Sequence, residues 1–384
     1  MENHRAYAAG GGRSSRTPEG MGPRKAGWRY LAAGFCFLLA AASARAETVV
    51  SDQPAALLAF PGVIAGVGSM DTLIQITNVS DTPARLACFY VNALGRCSVS
   101  GEACFAGGAG AEFGFNCPDD RDLCLPQWVE TDFRVVLTSR QPFAWRVSTG
   151  LPRSAVPLDG VFRRGPRGES NAGTDIPPFE GIGELKCYVV DPNGSPADRN
   201  VLVGSMTIVA EGDAFSHNAI GFRAVPGAND GDNELVLGGD SPEYDGCPNV
   251  LVADHFFTFA ENPVTGEEVF PLLVLAPCSQ NFLTQVPTRV NVQYLVFNEF
   301  EQRFSTSRPV ECLGFEFMAF LDTTDPDRSI FSVFVSGTLT GQTRIRPVDG
   351  GLVGWLFEVH GSSAASVNLH HVGRRETADR IVVP

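Results

Sequence analysis

Residues Asp71 to Val91 read DTLIQITNVSDTPARLACFYV, two apolar runs separated by a polar turn that contains a proline. Thr72 to Thr77 is rich in β-branched residues, whose stiff side chains suit a pleated surface, and Arg85 to Val91 repeats that character. Between them, Asn78, Ser80, Asp81 and Pro83 are turn formers, because Asn and Asp tolerate left-handed backbone angles and Pro fixes φ. The pair predicts a β-hairpin or a sandwich corner. The same grammar recurs at LLAFPGVIAG (57–66), FRVVLTS (133–139), FAWRVSTG (143–150), GELKCYVV (183–190) and NVLVGSMTIVA (200–210). Long amphipathic helical spacing is absent, so many short strands joined by Gly and Pro turns predict an all-β sandwich architecture.

A second copy of the plan begins near Phe270. LLVLAPC (272–278) matches LLAFPG, VQYLVFNEFEQRF (292–304) matches the first arm of the hairpin, and VECLGFEF (310–317) matches ARLACFYV. Asn78 then aligns with Asn298 and Cys88 with Cys312, while FSVFVSG (331–337) aligns with FRVVLTS and VGWLFEV (353–359) with GELKCYV. The first copy holds extra residues between its strands, which marks the cysteine-rich segment 96–124 as an insertion. A chain of this length exceeds what one core usually serves. The expected organisation is a β-sandwich domain over 47–211, an acidic, loop-rich inter-domain segment over 212–269, and a second sandwich over 270–384.

Strand, Asn-x-Ser-Asp turn, strand, then a G-x-L-x-C strand followed by N-x-L-x-G resembles the immunoglobulin-like sandwich domains of bacterial secreted and surface proteins. The resemblance implies two immunoglobulin-like sandwiches serving display, adhesion or scaffolding, and it carries no catalytic residues with it. The antibody-type Cys…Trp…Cys spacing is missing, so that family's disulfide is not implied.

Residues 1–46 read as a secretory signal peptide: Arg24, Lys25 and Arg29 precede YLAAGFCFLLAAASA, followed by Ala44-Arg45-Ala46 and the polar Glu47. The apolar run is short of the roughly 20 residues a spanning helix needs, and cleavage after Ala46 is expected. Met21 begins a compact signal peptide by itself, which makes 1–20 an extension or a start assigned early. Cys36 follows Phe35 rather than a small residue and reads as a passive member of the run. Cleavage removes seven Lys/Arg and two Asp/Glu, leaving 22 against 41, a net charge of −19. Such a surface repels phosphate backbones, which excludes nucleic acid as a partner. An unknown protein or glycan is expected instead, with no integral membrane segment after cleavage, in the periplasm, at the cell surface or outside the cell. Lys186 is the one lysine of the mature chain.

Nine cysteines remain: Cys88, Cys97, Cys104, Cys117, Cys124, Cys187, Cys247, Cys278 and Cys312. In an exported chain these are disulfide candidates, and no pair has the close spacing of a zinc site. Local bridges are expected among Cys97, Cys104, Cys117 and Cys124, with the pairing left open, because that glycine-rich segment has too few large apolar residues to pack a core. Cys88 and Cys187, both within strands, can join neighbours. The odd count leaves one thiol among Cys247, Cys278 and Cys312.

His217, His255, His360, His370 and His371 all lie in the second half. Consecutive strand residues face opposite ways, so His370 and His371 cannot share an ion without a bulge. The oxygens of Asn229, Asp230, Asp232, Glu234 and Asp240 suit a hard cation, though without the calcium-loop spacing. A solvated acidic loop is the plainer reading, with calcium the alternative. No Gly-x-Ser-x-Gly elbow, His-Glu-x-x-His helix or phosphate loop occurs. The expectation is a non-enzymatic protein for display, adhesion or assembly, without a cofactor. The alternatives are a calcium- or carbohydrate-binding module using 213–270, where Phe256, Phe257 and Phe259 could form a patch, and a secreted hydrolase.

Overall fold

The computed structural model describes residues 47–104, 117, 123–125, 128–150, 175–210, 212–323, 329 and 332–384. The expected signal peptide and most of the cysteine-rich insertion lie outside these residues. The described chain is built mainly of antiparallel strand pairs, with two short helices. One sheet runs in the order β12 (Ile220–Phe222), β1 (Leu57–Ala65), β9 (Gly181–Val190), β3 (Ala84–Asn92) and β7 (Val129–Leu137). A second runs β11 (Asp213–Asn218), β10 (Leu202–Ala210), β2 (Asp71–Asn78) and β8 (Pro142–Arg146). The hairpin arms β2 and β3 therefore enter different sheets, which makes the Asn78–Pro83 turn a sandwich corner. Asn78 builds it: its Nδ2 donates to Thr82 O (2.8 Å) and Thr138 O (2.9 Å), and its Oδ1 accepts from Ser80.

The second half repeats the layering. One sheet runs β18 (Arg303–Glu311), β17 (Arg289–Asn298), β20 (Thr340–Pro347), β14 (Pro248–Phe256) and β23 (His370–Arg374). Its counterpart runs β19 (Gly314–Phe317), β15 (Val269–Pro277), β21 (Leu352–His360) and β22 (Ser363–Asn368). Two small sheets complete the described residues. One combines β13 (Glu234–Leu237), β24 (Asp379–Val382) and β16 (Gln280–Asn281), the last pair parallel. The other ties β5 (Ala103–Cys104), β4 (Gly95–Cys97) and β6 (Cys124–Leu125).

Burial follows from this layering. Strand β2 alternates buried with partly buried or exposed residues, as a strand with one solvated face must. Strands β1 and β9 are buried at every position, because a second layer covers their other face. That cover comes from the second half. Trp355 of β21 donates from its indole Nε1 to Pro61 O at 2.7 Å. Gly62 lies between, with φ +78°, where an added Cβ would stand 2.8 Å from Val274 Cγ1 and 3.0 Å from Trp355 Cζ2; only glycine allows both the left-handed angle and that approach. Residues of both halves accordingly share the larger apolar cluster, from Ile74 and Leu185 to Val274 and Trp355. A separate cluster around Tyr294, Leu273, Ile345 and Leu356 fills the second pair of sheets.

Three expectations need correction. Segment 212–269 does not separate two sandwiches: although more than half of it lies outside strands, it supplies β11 and β12 to the first pair of sheets, β13 to a small sheet, and β14 to the second pair. FSVFVSG was expected to mirror a strand, yet Val333–Ser336 forms helix α2, because Ser332 Oγ accepts from Val335 N and Gly337 closes the turn with φ +65°. VECLGFEF is not one strand either. Cys312 takes φ +60° and breaks it between β18 and β19, after which Met318–Leu321 forms helix α1. The internal repeat is partial. Pairings β1 with β9 and β2 with β8 recur as β15 with β21 and β17 with β20. The flanking strands differ, since β3 pairs with β9 whereas β19 pairs with β15.

Candidate functional site

Four disulfides occur among the described residues. Cys88 and Cys187 stand opposite each other on β3 and β9 and are bonded, with Cα atoms 4.1 Å apart. Of the pairings that spacing left open in the insertion, the structure has Cys97–Cys117 and Cys104–Cys124. Cys247 pairs with Cys278, and Cys312 is left as a buried thiol whose ionisation is pushed up by burial. Two groups of convergent ligand atoms occur among the described residues, Cys97–Cys104–Cys117 and Cys247–Cys278–Asp379. Their cysteines are oxidised, and a cystine sulfur is not the thiolate a metal takes.

The acidic loop directs its oxygens inward to its own backbone. Asn229 Oδ1 accepts from Gly231 N, Asp230 Oδ1 from Asp232 N and Asp232 Oδ1 from Glu234 N, a chain of Asx turns. Glu234 pairs with Arg380, and Asp240 is exposed. The histidines are dispersed. His217 is buried against Trp355, and burial pulls its pKa down to about 3. His255 is pulled down to about 4, chiefly by burial, with Nδ1 against Phe256 O and Nε2 against Thr343 Oγ1. His360 lies beside Glu358, exposed His370 faces Asp254 at 3.8 Å, and His371 Nδ1 meets Val49 O. The three phenylalanines diverge too: Phe257 is in the core, Phe256 is half-buried and Phe259 is exposed.

Two cavities open on the β18–β17–β20–β14–β23 sheet. One, of about 480 Å³, is lined by Asp254, His255, Phe297, Glu299 and Glu358. Two of its acids are committed to structure: Glu299 accepts from Leu339 N (2.6 Å), Thr338 Oγ1 (2.5 Å) and Thr340 N (3.3 Å), bonds that hold its carboxyl below the usual range although partial burial opposes them. Glu358 accepts from Phe256 N.

The other cavity, about 520 Å³, is cationic. Strand β20 alternates Thr343 and Ile345 inward with Arg344 and Arg346 outward, so the pleat sets Arg346 beside Gln293, its register partner on β17. Asn249 of β14 and Arg374 at the end of β23 extend the wall, and Arg375 and Thr377 close it. Arg375 is fixed: Nη2 donates to Thr377 Oγ1 at 2.9 Å, Nη1 to Pro347 O at 3.3 Å, and Nε pairs with buried Asp379 at 3.5 Å. Arg374 spends one N–H on Gly239 O at 3.4 Å, and Arg346 is exposed. Exposed Glu376 is the one carboxylate in the lining. Three guanidiniums converge here on a chain of net charge −14. Their N–H donors suit a planar or tetrahedral oxyanion. Sequence reading missed this cleft, although RIRP (344–347) and GRRET (373–377) carry its arginines in two short runs.

Among the described residues no helix is long and apolar enough to cross a membrane. No family model matches the chain, and no curated protein matches it. Two solved structures show slight likeness. One is a cryo-EM structure of broad bean stain virus, with 8% identity and a TM-score of 0.16, covering 91% of this chain and 98% of that one. The other is that of infectious bursal virus T=1 particles, with 12% identity and a TM-score of 0.12, covering 88% and 75%. Likeness at that level carries no argument about fold or function.

Proposed function

We propose that this chain is an exported, non-enzymatic protein of immunoglobulin-like sandwiches that works in display, adhesion or assembly by binding an anionic group of an extracellular partner. The observation that carries the reading is the cleft of Arg346, Arg374 and Arg375 on an otherwise acidic chain. Arg375 is already held by Asp379, so it serves as a fixed wall, while Arg346 and the remaining donors of Arg374 meet the ligand. The signal-peptide pattern and the disulfides support an oxidising, extracytoplasmic location.

A carboxylated polysaccharide is a suitable probe, because its repeating carboxylates match the fork geometry of arginine. Calorimetric titration with polygalacturonate is expected to show binding that weakens as salt rises, with neutral dextran inert. The Arg346→Ala/Arg374→Ala double variant should bind at least about tenfold more weakly, since hydrogen bonds to charged groups contribute about 1.5–3 kcal/mol each. Equal binding by the double variant, or none by the native chain at low salt, would refute the anion reading.

A further inference from the structure

Lys186, the one lysine after the leader, is not on the surface. It lies in fully buried β9, with 1% of its surface exposed, and Glu184 and Gln280 beside it are 1% and 2% exposed. Glu184 and Lys186 are two apart and therefore share a face of the strand, the face turned to residues 277–280 of the second half. Nζ stands 2.5 Å from Gln280 Oε1, 2.8 Å from Glu184 Oε2 and 3.3 Å from Pro277 O. Two atoms of this cluster have no partner: Glu184 Oε1 and Gln280 Nε2. A buried primary amide whose nitrogen keeps both N–H groups unpaired is costly.

We propose that Lys186 and Gln280 are joined by an intramolecular amide, formed when Nζ displaces ammonia from the Gln280 carboxamide with Glu184 as proton carrier. The arrangement supplies each part. Nζ is held at hydrogen-bond distance from the oxygen of the carboxamide whose carbon it attacks, and fixing the two groups removes the entropy cost of their encounter. Burial shifts both ionisable partners toward neutrality, lowering the pKa of Lys186 and raising that of Glu184, although each partner's charge opposes the shift in the other. An uncharged amine is the nucleophile such a step needs. The Nζ–Cδ bond forms and the Cδ–Nε2 bond breaks. One Nζ proton passes through the Glu184 carboxyl to the departing Nε2, which leaves as ammonia, and Glu184 is regenerated. No oxidant or cofactor enters. The departing nitrogen is the atom the fold leaves unsatisfied, and the new amide N–H keeps Glu184 as its acceptor. The link would bind β9 to β16 across 94 residues of chain.

Mass spectrometry of the full chain, purified after export, decides the matter. After complete reduction and alkylation, the intact chain is expected to be lighter than its sequence by one ammonia. Trypsin should leave residues 168–199, uncut after Lys186, joined to residues 224–289. The Glu184→Gln variant should show the full sequence mass, with cleavage after Lys186. A native chain of full mass, cut after Lys186, would overturn the proposal whether or not any variant folds. So would an ammonia deficit mapped to another pair, such as Cys312 with Gln280, or to the chain terminus.

Discussion

Truncation of Trp355 to alanine is expected to cost about 3–5 kcal/mol, the range for deleting a large buried aromatic from a core. Trp355 is 2% exposed and stands where the two halves meet. Its ring contacts Phe215, His217 and Phe357, with centroids 6.3, 4.3 and 6.3 Å away, and its N–H reaches Pro61 O. Alanine leaves a cavity that glycine at 62 cannot fill, and takes the indole donor from a buried carbonyl. Chemical denaturation should show the midpoint falling sharply, with the slope retained. Trp355→Phe separates the two effects: it keeps most of the ring and loses the donor, and should cost about 1–3 kcal/mol. A Trp355→Ala chain within 1 kcal/mol of the native one would show that the halves do not rest on this contact.

Removing the Cys88–Cys187 bridge should be comparably severe. The bond closes a loop of 99 residues between neighbouring strands, and the chain-entropy model gives about 4–5 kcal/mol for a loop of that size, against a usual range of about 2–5. Both sulfurs are in the core, so the Cys88→Ala/Cys187→Ala double variant loses packing volume as well. Reduced stability measured by denaturant titration of the oxidised proteins checks this. The Cys97–Cys117 and Cys104–Cys124 bonds close loops of 20 residues at the periphery, and their removal should be milder. A larger loss from the peripheral pair would contradict this assignment of the core.

What could be read from the sequence was the local pattern. The alternation in TLIQIT, the Asx turn at Asn78 and the apolar run LLAFPG are each decided by neighbours a few residues away, and each appears as expected from its chemistry. What the sequence hid was set by distant partners. The full burial of β1 and β9 depends on residues from 91 to 294 positions on, so a strand with one exposed face and a strand with none look alike when both are apolar. FSVFVSG has strand composition, but a serine cap and a glycine in the left-handed region turn it into a helical turn. The arginine cleft needed β20 and β23 to flank β14, a register that neither RIRP nor GRRET encodes. Lys186 was conspicuous for its rarity, but its position against Gln280 follows only from the packing of β9 on the second half.

The central claim is that the described residues from Glu47 onward form one body of β-sheets with a core common to both halves. Differential scanning calorimetry of the oxidised protein tests it most directly. A shared core predicts a single transition, with calorimetric and van't Hoff enthalpies that agree and with tryptophan fluorescence changing at the same temperature. Two resolved transitions, one of which persists when the Trp355→Ala substitution removes the other, would contradict it.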